Sequence, residues 1–282
     1  MESDSARVPL LDKPFTNRDS SSYKSKHQII PEPFYITYIC CCCSDKNNLT
    51  TFEYTSFQTL LSQCIIPFNT NNPEHQDKLS TLFTLAQTEL IKHKPQFQHE
   101  EQGVLWKEFG FQTNIPANDF RGGGLKSLEC MIHFSNNHSQ ELGEMFNTEF
   151  FSFGVIMIKM CFKMRMFFRL FDKDDLNKQI QIQQNGDAMC NRKELKRFCE
   201  GLIMDKDFFY KIVNMGLLIT WKKYVQRFEI DKGVLNILKI DVIVKEVVNI
   251  VKEVFQDRND YESIYHALVK KYNDINIHNK YI

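Results

Sequence analysis

The sequence predicts an all-α protein: a multi-helix domain interrupted by an irregular glycine-rich loop and preceded by a disordered N-terminal tail. Three observations carry this expectation. Apolar residues recur at spacings of three and four through most of residues 51–255, no run alternates with period two beside a hairpin signal, and clusters of Pro, Gly and Asn separate the periodic segments.

Residues 1–33 are rich in Ser, Asp, Lys and Pro with little periodicity, a composition that cannot offset its own ordering entropy. Pro31 and Pro33 close that segment, and 34–39 lead into four consecutive cysteines, Cys40, Cys41, Cys42 and Cys43. From Thr51 the pattern turns helical. Phe57, Leu60, Leu61, Cys64 and Ile65 share one face before Pro67, and a second helix over 73–93 sets Leu79, Leu82, Phe83, Leu85, Ala86 and Leu90 largely on one side before Pro95. Residues 106–124 contain Gly110, Pro116 and three successive glycines, so no regular element is expected to run through them. Helices are expected at 125–134 and 150–171, joined by the polar linker Asn136-Asn137-His138-Ser139. After a polar interruption at 172–191, helices are expected at 195–202, 208–224 and 235–255. The last is rich in β-branched residues, yet Val244, Val247, Val248, Val251, Val254 and Phe255 keep the helical repeat. These signals divide the chain into a tail with a cysteine cluster (1–50), a helical domain with flanking helices (51–272) and a C-terminal tail (273–282).

At 282 residues the chain has material for one sizeable core. Lys and Arg number 35, as do Asp and Glu, so no long-range field gathers nucleic acid, and no nucleic-acid partner is expected. The first residues lack the basic and apolar regions of a secretory signal. Cys64, Cys130, Cys161, Cys190 and Cys199 are scattered in apolar surroundings, where a thiol acts as a small hydrophobe. A cytoplasmic protein is expected. The apolar stretch 150–171 carries Lys159, Lys163, Arg165 and Arg169, which argues against a membrane span. Those four cations either snorkel from a mostly buried helix or form part of a partner-facing surface. The four-cysteine run is either S-acylated, holding the chain peripherally at a membrane, or an unmodified part of the tail.

Several chemistries are excluded by spacing. Lys126-Ser127 follow glycines, but Leu125 and Phe120 occupy the two positions where a phosphate-binding loop needs glycine. His133, His138, His266 and His278 form no hydrolytic zinc arrangement, and no metal site is expected. Asp172, Asp174 and Asp175 lack the glycine and terminal glutamate of a calcium loop. Neither a nucleophile elbow nor a kinase or dinucleotide fingerprint occurs.

The candidate site is the run from Trp106 to Gly124. Arg121 stands between an aromatic cluster and three glycines, on backbone that can come close to whatever the guanidinium touches. It either reaches outward as an arginine finger, placing several donors on a partner's phosphate, or pairs with Asp119 or another carboxylate to pin the loop. Trp106, Phe109, Phe111 and Phe120 are expected to pack and fix the loop. Asp119 is expected to hold its own loop by bonding a backbone N–H or steering Arg121. Gln112 either caps loop backbone or touches a partner.

Trp106-x-x-Phe109-Gly110-Phe111-Gln112, then Pro116, then Asp119-Phe120-Arg121-Gly122-x-Gly124-Leu125, resembles the signature of the ELMO domain. Weaker similarity extends over residues 55–255. The resemblance implies that residues 51–272 form an ELMO domain. Members consisting of little beyond this domain are GTPase-activating proteins for Arf and Arl GTPases, acting in vesicle trafficking, and Arg121 occupies the place of the arginine they require. The longer scaffolds with this domain add armadillo-like repeats and a PH domain, for which this chain is too short. The implied partner is an Arf/Arl small GTPase, and GTP and Mg²⁺ belong to that partner, so no cofactor is expected on this chain. Two departures from the pattern stand out. Lys126-Ser127 interrupt a usual Leu-Gly pair, with Gly123 in place of a larger residue, and 172–191 look inserted or diverged. The alternative role is a non-catalytic module that binds a GTPase or an exchange-factor complex with Arg121 structural.

Overall fold

Two helices, α6 (Phe153–Phe167) and α8 (Phe208–Ile230), are apolar nearly all round, and a helix of that kind is stable only when surrounded. The computed structural model, which describes residues 49–171, 189–230 and 237–275, places both at the centre. Ile156, Met157, Met160 and Met164 of α6 are buried, as are Phe208, Ile212, Leu217, Leu218 and Trp221 of α8. Around them pack α1 (Thr51–Cys64), α2 (Pro73–His93), α3 (Gln102–Glu108), α4 (Gly124–Asn137), α5 (Ser139–Asn147), α7 (Arg192–Met204), α9 (Ile237–Asp257) and α10 (Tyr261–Asn273). α2 lies on α4 and α5, α1 on α7, and α9 and α10 on α8. Among the described residues the regular structure is entirely helical, as the sequence predicts.

Local chemistry explains where the helices begin. Thr50 and Glu53 form a reciprocal capping box at α1, Asn191 and Glu194 do the same at α7, and Asn72 caps α2 with Pro73 in its first turn. α2 runs over the residues that its periodicity predicts. In α9 the repeat overrides β-branched propensity, because Ile240, Ile243, Val244, Val247, Val248, Val251, Val254 and Phe255 all fall on its buried face.

Four expectations need correction. The stretch 106–124 is not wholly irregular. α3 runs into it as far as Glu108, and Pro116–Arg121 form a 3₁₀ turn with Pro116 in its first position. The linker at 136–139 shrinks to a junction at His138. It opens directly into α5, whose Leu142, Met145 and Phe146 are buried at three-and-four spacing. α6 is shorter than 150–171, because Phe150 and Arg169 adopt positive φ (58° and 60°) and bound it on either side. α10 lies beyond the last helix expected, anchored by Ile264 and Leu268.

The cysteine run 40–43, the N-terminal tail, Asp172, Asp174 and Asp175 fall outside the described residues. Cys64, Cys130, Cys161, Cys190 and Cys199 are buried thiols with no disulfide. Burial pushes the Cys64 and Cys190 thiols up to about 12, so both stay protonated and pack as small apolar groups. Among the described residues no helix is long and apolar enough to cross a membrane, and no His, Cys, Asp or Glu cluster could hold a metal ion.

Candidate functional site

The loop that carries Arg121 is mounted on aromatic rings. Trp106, Phe109, Phe111 and Phe120 are each 5% exposed or less. The Trp106 ring meets Phe109 and Phe111 edge-on, at 5.4 and 5.3 Å between centroids, and Phe111 meets Phe120 at 5.7 Å. Phe83 of α2 and Phe68 of the α1–α2 turn close the cluster, at 5.1 Å from Trp106 and 5.2 Å from Phe120. Each such pair adds about 0.5–1.5 kcal/mol beyond the area it buries. The four aromatic residues are thus buried together beneath the loop.

Gly110 lets this mount join α6. Its φ is +84°, and a Cβ there would lie 2.5 Å from the backbone of Ser152 and Phe153. In that close approach the carbonyls of Phe109 and Gly110 accept hydrogen bonds from the N–H groups of Gly154 (2.9 Å) and Val155 (3.1 Å). Two donors in the first turn of α6, which no helical carbonyl can satisfy, thus find partners in the loop. At the other end Gly124 has φ +65°, its Cβ position is 2.7 Å from the Ile66 carbonyl oxygen, and that oxygen accepts from the Leu125 N–H at 3.0 Å. Gly122 differs. It is exposed, and a Cβ there would meet nothing within 4 Å.

Asp119 accepts a hydrogen bond from the Gln112 N–H at 3.0 Å and so ties the two arms of the loop together. Burial pushes its carboxyl up, against the opposing pull of the Gln112 and Thr113 N–H groups. Gln112 is exposed, and it is its backbone rather than its amide that takes part.

Arg121 is exposed at the end of the 3₁₀ turn. Its Nη2 donates to Asn118 Oδ1 at 3.2 Å, and among the described residues no carboxylate pairs with it. Asp119 therefore serves the backbone and leaves the guanidinium alone.

Two buried cations stand behind the loop, and neither role is readable from spacing. Lys126 is 1% exposed. Its Nζ donates to Tyr210 Oη (2.7 Å), Gln63 Oε1 (3.0 Å) and Glu129 Oε2 (3.2 Å). Burial acts to raise the Glu129 carboxyl, but bonds from Lys78 and Lys126 hold it below the usual carboxylate range. The Lys126-Ser127 departure is thus turned inward, toward α1 and α8. Arg165 of α6 is 7% exposed, and its Nη1 donates to the Gly123 carbonyl at 3.0 Å. Of the other cations on that helix and just past it, Lys159 pairs with Asp241 and Arg169 donates to the Cys190 carbonyl at 3.0 Å.

Residues 58–275 match the model of the ELMO/CED-12 family. The chain belongs to that family. Curated relatives include ELMO domain-containing protein C of Dictyostelium discoideum, 27% identical over 36% of this chain and 15% of its own length. ELMO domain-containing protein B of the same organism is 34% identical over 28% of this chain and 26% of its own length. Human ELMO domain-containing protein 2 is 32% identical over 27% of this chain and 24% of its own length. The chain thus spans about a quarter or less of each of these relatives. No solved structure matches it. The ELMO/CED-12 match runs through α10, beyond the 55–255 that the sequence resemblance suggests.

Proposed function

We propose that this ELMO/CED-12 chain is a GTPase-activating protein for an Arf/Arl-family small GTPase, and that Arg121 enters the partner's active site in trans. The observation that supports this reading is the state of the arginine. It is exposed, bonded only to a neutral amide among the described residues, and carried by a turn whose backbone is tied down on both sides. A guanidinium so held loses little freedom on docking and needs no carboxylate partner removed first. Beside a γ-phosphate it would stabilise charge gathering on the transferring oxygens, a contribution of about 10³–10⁵ in rate where a GTPase receives such a group from outside. GTP and Mg²⁺ would be the partner's, and the chain itself would contribute position and one positive charge.

Single-turnover GTP hydrolysis by a panel of Arf and Arl proteins tests this. Wild type should accelerate hydrolysis by at least one of them, and Arg121→Lys should lose most of that acceleration while still binding the GTP-loaded partner. Equal acceleration by both forms, or none from wild type across the whole panel, overturns the catalytic reading and leaves a domain that binds without catalysing.

A further inference from the structure

Among the described residues Arg165 is the strongly buried guanidinium that touches the arginine loop. It projects from α6, and Met157, Met160, Met164 and Met166 of the same helix show that this helix otherwise fills its surroundings with flexible apolar side chains. Taking a cation out of water is unfavourable unless a counter-charge and hydrogen bonds replace the lost solvent. Lys126 has such a replacement in Glu129. Arg165 has none: among the described residues no carboxylate pairs with it, and its Nε is buried without a hydrogen-bond partner. What it does have is the Gly123 carbonyl at 3.0 Å and the face of Phe171, 5.5 Å from the guanidinium carbon. A charge-assisted bond and a cation–π contact offset part of the burial but do not explain why a methionine is absent.

The carbonyl it grips explains more. Gly123 lies two residues past Arg121, between the 3₁₀ turn and α4, and is followed by Gly124 in the left-handed region. Successive glycines offer little stiffness of their own. Upstream, the turn is fixed through Asp119 and the Gln112 N–H, and downstream through the Leu125 N–H and Ile66 carbonyl. Between these two ties, Arg165 supplies a side-chain hydrogen bond to the backbone next to Arg121, where Ser127 and Ile158 also pack against Gly123.

We propose that Arg165 is a positioning residue for Arg121: from the core it locks the Gly123 carbonyl and so sets the angle at which the loop presents its guanidinium to the GTPase. This rests on the function proposed above, and its test has one arm that does not. In the full chain, Arg165→Met removes the donor and Arg165→Gln keeps one neutral donor. Hydrogen exchange at the Gln112, Asn118 and Leu125 amides should quicken by about tenfold in Arg165→Met, while α8 and α9 amides stay protected, and Arg165→Gln should recover part of that protection. With the responsive GTPase, Arg165→Met should lower the maximal rate of GTP hydrolysis by about 10²-fold, with the concentration for half-maximal effect within about threefold of wild type. Unchanged loop exchange, exchange that rises equally throughout the chain, or a loss confined to the half-maximal concentration overturns the proposal. If wild type stimulates no GTPase, the function proposed above fails. A selective rise in loop exchange would still support Arg165 as the anchor of the loop.

Discussion

Gly110 and Gly122 lie on one loop, yet an added methyl group would strike the Ser152–Phe153 backbone at 2.5 Å in the first case and meet open space in the second. The contrast extends to their neighbours. Around Gly110 stand buried rings and backbone hydrogen bonds to α6, whereas Gly122 and its neighbour Arg121 are exposed, with open space where a Gly122 side chain would lie. One side of the loop is built as core, with its tolerance for change set by steric fit. The other side is built as surface at Arg121 and Gly122, held from beneath by the Arg165 bond to the Gly123 carbonyl rather than by side-chain packing of its own. A mount and a tip within twenty residues of sequence is an arrangement suited to presenting a side chain rather than enclosing a substrate.

The largest expected effect is at the mount. Gly110→Ala combines a left-handed φ with backbone collision, and should destabilise the fold by about 2–6 kcal/mol, read as a lower midpoint of denaturant unfolding. A loss under about 1 kcal/mol would mean that the loop is not packed against α6 as described. Asp119 sharpens the comparison because it links the two sides. Asp119→Ala should cost about 0.5–1.5 kcal/mol by removing the acceptor of the Gln112 N–H, which water can partly replace because Gln112 is exposed. Asp119→Asn keeps an acceptor and should cost less. Because burial raises the Asp119 carboxyl, the folded chain holds that proton more tightly than the unfolded chain does. This carboxyl therefore favours folding most at acid pH, and its contribution falls away as pH rises through the carboxylate range. Other carboxylates titrate in the same range, so the readout is the difference between the two proteins: the stability of wild type relative to Asp119→Asn should fall as pH rises through it, and a difference that is flat or rises overturns the assignment. The smallest effect belongs to the tip: Gly122→Ala should change stability by no more than about 0.5 kcal/mol. If that same substitution weakens stimulation of the GTPase, the partner approaches the backbone at Gly122, and the division between mount and tip acquires a functional meaning.

The fold was largely legible where burial repeats locally. Leu82, Ala86 and Leu90 place α2, and Val244, Val247, Val248 and Val251 place α9, because a single helix face meets a single neighbouring surface. The misses share a different cause. Leu142, Met145 and Phe146 carry the right spacing, but α5 is short and sits beside a polar stretch, so its signal was swallowed by the linker. The 3₁₀ turn at Pro116–Arg121 has no long-period pattern to announce it and is defined by Pro116 and by the pull of Asp119 on Gln112. Within the site, the burial of Trp106, Phe109, Phe111 and Phe120 could be read from residue type. The choice between Asp119 pairing with Arg121 and Asp119 bonding backbone could not, since both fit the same two adjacent residues.

The order of residues alone determined that the chain is helical, where its apolar faces lie, and that an arginine sits among aromatics and glycines. Tertiary structure decided how the charges are used. Lys126 meets Tyr210 from 84 positions away and Arg165 meets the Gly123 carbonyl across 42. Hydrophobic periodicity is written in neighbours three and four apart, so it survives in the sequence. The satisfaction of a buried cation depends on which distant groups the fold brings within 3 Å, and that is fixed only when the helices have packed.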